Sequence, residues 1–319
     1  MIKDNVIVLN GGLGNQLFQI GFGFYLEKLF NVNTRFETSI GNPRTSFAGD
    51  IEANSFRYHK EIEFVELPFG RTSKRVMNKL LRIGAEEESE FLILIAQKLF
   101  SGLEIFIETS PKYLEVARGL GYFNLQAKNT ESLLHLGYFQ TYKWVDSVSD
   151  LLFKMLPKKD NDLPEWKALA TSEKPIALHL RLGDYKNERF GIPQLSYYQS
   201  GIRNILDNDS KREYGSVWVF SDEPKEAKNH LNNLKIRLPI RYIDSSNQES
   251  AWTLQLMRHC SAFLIANSTF SWWGSYLRYD RMAPVIAPKP WFRFGNSPNE
   301  ICPPDWIRIS AFNNLRTYD

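Results

Sequence analysis

The residues best equipped for chemistry cluster directly after short apolar runs. His179-Leu180-Arg181-Leu182-Gly183-Asp184 brings together an imidazole, a permanent cation and a carboxylate. Arginine stays charged at every relevant pH, and its planar fork of donors fits phosphate oxygens. Gly183 allows a sharp turn, and Asp184 can orient Arg181 or accept a proton. Strand alternation puts His179 and Arg181 on one face, Leu180 and Leu182 on the other. Ser221-Asp222-Glu223 follows a second apolar run. Asp222 can accept from the N1–H and exocyclic amine of a guanine, or cap the helix that begins after Pro224. Asn267-Ser268-Thr269-Phe270-Ser271 follows a third run and leads into a helix. Such residues cap helices, and the same helix end offers free N–H groups and positive dipole to a phosphate. Both readings can hold together. A glycine turn, Gly11-Gly12-Leu13-Gly14-Asn15-Gln16, follows the first strand-like run. Leu17 replaces the third glycine of a dinucleotide fingerprint, and no Gly-Lys-Ser/Thr follows, so it is not a P-loop.

Positioning these groups needs strands that end side by side. From residue 175 onward, short apolar runs (175–180, 217–220, 241–244, 262–266 and 284–288) alternate with helix-like stretches. That alternation argues for a parallel, doubly wound sheet, whose ligands bind at the carboxyl ends of the strands. The polar clusters, Asp244 included, fall at those ends. The first half opens strand (5–9), helix (16–29), strand (34–38). The polar, proline-containing stretch 157–174 reads as a linker between a unit at 1–156 and one at 175–319. The expected fold is α/β, with two Rossmann-like domains facing a cleft and the glycine turn on its first wall.

A chain of 319 residues, 43% hydrophobic, suits two domains with substantial cores. Its net charge of +3 gives no case for nucleic-acid binding. Fourteen per cent aromatic content fits a sugar-handling cleft but equally a well-filled core, where Trp272 and Trp273 are expected to pack. Two isolated cysteines, Cys260 and Cys302, exclude a disulfide framework and favour a reducing compartment. The N-terminus enters a strand directly, without signal-peptide features, so a cytoplasmic location is expected. The apolar region 91–107 is too short and interrupted to span a bilayer. The basic segment 71–84 could touch a membrane only peripherally, and a solvated helix face is the simpler reading.

Seven segments together resemble the α-1,2-fucosyltransferases of glycosyltransferase family 11: GGLGNQLFQ (11–19), GYFQTYKW (137–144), HLRLGDY (179–185), FSDE (220–223), NSTFSWWGSYL (267–277), APKPWF (287–292) and PPDWIRI (303–309). The resemblance implies a GT-B-type fold, GDP-β-L-fucose as donor, and metal-independent, inverting transfer to a sugar hydroxyl, typically of a terminal galactoside, free or lipid-linked. It makes the first domain mainly acceptor-side and the second the donor domain. Arg181 would clamp the β-phosphate, His179 and Asp222 the ribose and guanine side. Asn267, Ser268, Thr269, Phe270 and Ser271 would surround pyrophosphate and base, and Gly12 and Gly14 would let backbone approach the donor. Related protein O-fucosyltransferases carry a Gly-x-x-Gly-Asn-Gln turn whose asparagine contacts the leaving-group region, which here is Asn15. The general base is left among Asp184, Glu188 and Glu223. Where the family commonly has a second arginine, this chain has Leu182, turned away from the face of Arg181. Asp-Asn-Asp at 160–162 and 207–209 echoes the manganese-binding pattern of some glycosyltransferases. Neither ends a buried strand, so no metal is expected.

Overall fold

The computed structural model describes residues 4–39, 62–66, 113–116, 133–155, 163–186, 190–209, 212–245, 248–294 and 300–312. Segments 71–84 and 91–107, Glu188 and the Asp-Asn-Asp at 160–162 lie outside them. The chain divides into two compact units, Met1–Leu156 with Pro298–Ile301, and Pro157–Ser297 with Cys302–Asp319.

In the first unit, β1 (Asp4–Val8) leads through the glycine turn into α1 (Leu13–Phe30) and then β2 (Asn33–Glu37). Strands β3 (Glu63–Val65), β4 (Tyr113–Val116) and β5 (Leu133–Leu136) complete the described sheet, in the order β3-β2-β1-β5-β4. Every pairing is parallel. Helix α1 is buried over most of its length, with Gly23 letting it approach β2 and Gly21 letting Val145 and Leu152 of the following helices approach it. A Cβ on Gly23 would sit 2.6 Å from the Phe36 ring, and one on Gly21 2.6 Å from Val145. After β5 come α2 (Tyr142–Val145), a 3₁₀ turn (Asp146–Val148) and α3 (Ser149–Met155).

The second unit begins earlier than expected. Residues 164–173 of the supposed linker form helix α4 (Pro164–Glu173), with proline in its first turn and Lys174 closing it in the left-handed region at φ 44°. Proline suits that position because its missing N–H would be unpaired there anyway. The polar composition that suggested a linker is the outward face of this helix, which buries Leu163 and Ala170. The unit continues with β6 (Ile176–Leu180), α5 (Leu195–Asn208), β7 (Val217–Ser221), α6 (Pro224–His230), β8 (Ile240–Tyr242), α7 (Ser250–Met257), β9 (Ala262–Leu264), α8 (Thr269–Tyr276), β10 (Val285–Lys289) and β11 (Ile307–Ser310). Its six described strands run parallel in the order β11-β10-β9-β6-β7-β8. Strands buried on both faces read as continuous apolar runs, and β6, β7 and β9 are buried at every position.

Each sheet has one place where strand order reverses. In the first unit β1 is flanked by β2 and β5; in the second, β6 is flanked by β7 and β9. Open α/β sheets bind ligands at that point, beyond the carboxyl ends of the strands. The glycine turn follows β1, and Arg181 follows β6. Among the described residues, no helix is long and apolar enough to cross a membrane.

Candidate active site

Arg181 leaves the end of β6 with carboxylates on two sides. Its Nε donates to Asp184 Oδ1 at 2.8 Å, and its Nη1 lies 3.3 Å from Asp222 Oδ2. Burial works against the charge of Arg181, but the two carboxylates outweigh it and raise its pKa. Asp222, arriving from the neighbouring strand β7, also accepts the backbone N–H of Leu182 at 2.9 Å and of Gly183 at 3.0 Å. The carboxylate therefore shapes the turn that presents Arg181. A Cβ on Gly183 would lie 2.9 Å from Asp222 Oδ2, which explains the glycine. Helix α6 takes Glu223, not Asp222, as its N-cap residue, and Ser221 Oγ accepts from Glu223 N–H at 3.1 Å. Leu182 is buried in the core with Leu178 and Leu180, so a second arginine here would force a charge among apolar side chains.

His179 faces the same side as Arg181 and is buried. Burial lowers its pKa to about 3, with Asp222 opposing and Arg181 assisting the shift, so the ring is neutral at physiological pH. Its Nδ1 is buried without a hydrogen-bond partner, and its ring centroid lies 6.0 Å from that of Phe270. A neutral imidazole with an unpaired nitrogen is suited to a hydroxyl group.

The β9–α8 connection joins this cluster through Tyr185. The Tyr185 hydroxyl donates to Asn267 O at 3.0 Å, while the Arg181 guanidinium lies 5.9 Å from the Tyr185 ring centroid. Burial pushes the Tyr185 phenol up, which keeps it a donor. Asn267 is fully buried, and its Nδ2 donates to Phe190 O at 2.9 Å and Gly191 O at 3.1 Å. It braces the loop after Arg181 against the end of β9. Ser268 is the N-cap of α8, yet its side chain makes no capping bond. Ser271 is buried, its hydroxyl donating to Ser268 O at 3.2 Å, while Thr269 and Phe270 are half-buried. Trp272 and Trp273 are fully buried and packed against Tyr276, as their sequence context indicates.

In the first unit, Gly11 adopts φ 71°, a conformation open to glycine at no steric cost. Gly12 has an ordinary φ of −73°, and a Cβ there would meet nothing within 4 Å. Among the described residues, no contact requires glycine at 12, and the space beside it is open. Gly14 is buried in the first turn of α1. Asn15 is half-buried, and its Oδ1 accepts from Gln140 Nε2 at 3.0 Å. Gln16 is structural: its Nε2 donates to Gly11 O at 2.7 Å.

Tyr185, Gln19 and Gln140 support these groups, and sequence reasoning assigned them no role. Each stands inside a segment that carries the family resemblance, the one signal that marked them. Asp209, from the second Asp-Asn-Asp, accepts from Tyr214 Oη at 2.6 Å and Arg212 Nη1 at 3.1 Å. Both cysteines are buried free thiols.

Arg181, its paired carboxylates and an uncapped helix end thus gather at the strand-order reversal of a parallel α/β unit. The chain belongs to glycosyl transferase family 11, whose sequence profile matches residues 115–310. The O-antigen biosynthesis glycosyltransferase WbnK of Escherichia coli is 27% identical over 319 aligned residues, covering 94% of this chain and 99% of that protein. An alpha-1,2-colitosyltransferase of Escherichia coli is 32% identical over 142 residues, 42% of this chain and 47% of that protein. A crystal structure of NodZ alpha-1,6-fucosyltransferase soaked with GDP-fucose aligns with a TM-score of 0.47 and 11% identity, over 87% of this chain and 93% of that one. The family assignment rests on the sequence matches.

Proposed function

We propose that the chain transfers L-fucose from GDP-β-L-fucose to the 2-hydroxyl of a galactoside, with inversion and without a metal, in surface polysaccharide or oligosaccharide synthesis. The observation that carries this reading is Arg181 held by Asp184 and Asp222 after β6, with the uncapped start of α8 following the paired strand β9, in a chain of family 11. In this scheme the second unit holds the nucleotide and the first serves mainly the acceptor. Arg181 and the backbone N–H groups of Thr269, Phe270 and Ser271 receive the charge that builds on the leaving diphosphate. Each such preorganised donor contributes about 2.7–4 kcal/mol to the transition state. His179 takes a ribose hydroxyl, and Asp222 serves the guanine side while holding the Arg181 turn.

The acceptor oxygen bonds to C1 of fucose from the face opposite GDP. The C1–O bond to the β-phosphate breaks with its electron pair leaving on the phosphate, and the acceptor proton passes to Asp184. Asn15 meets the leaving-group region, and Gly12 leaves room for the donor beside the backbone. A second reading keeps this machinery and changes the sugar: a partial relative is named for colitose transfer.

Incubation with GDP-fucose and a panel of galactosides, with product linkage read by NMR, tests the proposal. An α-1,2-linked fucoside is expected, and EDTA should leave the rate unchanged. Turnover of GDP-colitose, GDP-mannose or a UDP-sugar with GDP-fucose untouched would overturn the fucosyl reading. Loss of activity with EDTA and rescue by manganese would overturn its metal-free form.

A further inference from the structure

The segment GYFQTYKW was singled out by sequence and has no part in the chemistry above. Its position follows from topology. Strands β1 and β5 pair in parallel, Asn5 opposite Leu133 and Ile7 opposite His135, so their carboxyl ends emerge side by side. The residues after β5, Gly137 to Gln140, therefore run beside the glycine turn after β1.

Two glutamines fasten these segments together. Gln19 Nε2 donates to Gly137 O at 2.8 Å and to Asn10 Oδ1 at 3.0 Å, while Asn10 N–H donates back to Gln19 Oε1 at 3.0 Å. Gln140 Nε2 donates to Asn15 Oδ1 at 3.0 Å. The backbone delivers Gln140 deliberately. Phe139 sits in the left-handed region at φ 52°, which is unfavourable for a bulky side chain, and its ring stacks on Phe22 at 4.0 Å. On the other side Thr141 caps α2 and donates to Glu300 O at 2.7 Å. Gln140 is held from both directions, is only 7% exposed, and leaves its own Oε1 without a hydrogen-bond partner. An apolar side chain of similar size would fill this space without burying an unpaired oxygen, so packing does not account for glutamine.

The Asn15 side chain lies over Gly11: its Nδ2 is 2.5 Å from where a Cβ on Gly11 would stand, so the carboxamide folds over a position that only glycine keeps clear. A carboxamide can present oxygen or nitrogen by a half-turn about its last bond, and an anion is attracted only to the nitrogen. We propose that Gln140 is a positioning residue for Asn15: by donating to Oδ1 it fixes the polarity of the Asn15 amide, so that nitrogen and not oxygen is the end offered to the leaving group. This rests on the reading of Asn15 as a leaving-group contact.

The test measures kcat and KM for GDP release from GDP-fucose, with lactose as acceptor, in Asn15→Ala, Gln140→Met, Gln140→Glu and the Asn15→Ala/Gln140→Met double variant. Asn15→Ala should lower kcat about 100-fold, the scale of one lost donor to a developing anion. Gln140→Met should lower kcat at least ~10-fold with KM for GDP-fucose unchanged, and the double variant should lose nothing beyond Asn15→Ala, as for coupled neighbours. Gln140→Glu keeps the shape but its carboxylate can only accept, so it should fall as far as the methionine variant. It also carries the test if the methionine variant does not fold. Wild-type kcat in both Gln140 variants, with Asn15→Ala impaired, would overturn the positioning role alone. Losses that multiply in the double variant would do the same. Full activity in Asn15→Ala would remove the leaving-group reading beneath it.

Discussion

Replacing Asp222 by asparagine separates a scaffold role from direct ligand recognition. The carboxylate receives Leu182 N–H at 2.9 Å on one oxygen and Gly183 N–H at 3.0 Å on the other. Asparagine keeps the shape but offers one oxygen, so whichever way it turns, one backbone N–H faces an NH₂ group. Hydrogen bonds to a charged group contribute about 1.5–3 kcal/mol each. The side chain is 22% exposed, which favours the lower end of that range. One bond lost at about 1.5 kcal/mol, and the other weakened by about half with the charge gone, gives roughly 2 kcal/mol. The Arg181 pair, part-exposed, adds little to this sum. At about 2–4 °C per kcal/mol for a unit of this size, Tm should fall by roughly 4–8 °C without any ligand present. Thermal unfolding followed by circular dichroism, on nucleotide-free protein, reads this directly. An unchanged Tm together with lost GDP binding would refute the scaffold argument and assign Asp222 to the ligand alone.

Further outcomes follow from the same geometry. Arg181→Ala should lower turnover by at least ~100-fold, and Arg181→Lys should recover little of it because a point charge cannot reproduce the planar fork; near-normal kcat in the alanine variant would move the phosphate clamp elsewhere. His135 in the first unit and His179 in the second are both lowered by burial from 6.5 to about 3. The unfolded chain takes up these protons first, so the stability is complete above pH 6.5 and is lost as pH falls towards 3, about 2 kcal/mol per histidine at pH 5. Tm should drop between pH 7 and 5, and His179→Gln should flatten the slope; a slope unaltered in that variant would contradict the assignment. Gly23→Ala should destabilise the first unit by about 1–3 kcal/mol through overpacking against Phe36, measured by denaturant unfolding; wild-type stability would show that α1 can shift.

The strand ends were legible because parallel strands are apolar on both faces, and polar clusters then mark their carboxyl ends. Arg181, Asp222 and Ser268 stand where that rule puts them, after β6, β7 and β9. Helix α4 was hidden by composition, although Pro164 directly after a buried-type leucine was a usable start signal. Asn267 shows the limit of residue type alone. Its side chain has the chemistry of a ligand contact, yet it is spent on two carbonyls of a loop 76–77 residues away in sequence. Asp222 has the same character, since its bonds to Leu182 and Gly183 span 39–40 residues and arise only once β6 and β7 pair. The coupling of Gln140 to Asn15 needs the β1–β5 pairing in the same way.

The carboxylates around Arg181 provide the guanidinium with a resident counter-ion. Under the proposed reading, an arriving diphosphate displaces Asp184 from Arg181, which frees the carboxylate, 54% exposed, to receive the acceptor proton. When GDP departs, the same carboxylate can close back. Donor binding then becomes an exchange of one anion for another, and its electrostatic gain is the difference between two pairings. Such a site gives up some grip on the nucleotide in its ground state. In return, the spent nucleotide leaves without stranding a bare cation, which favours rapid release, the step that limits turnover in many enzymes.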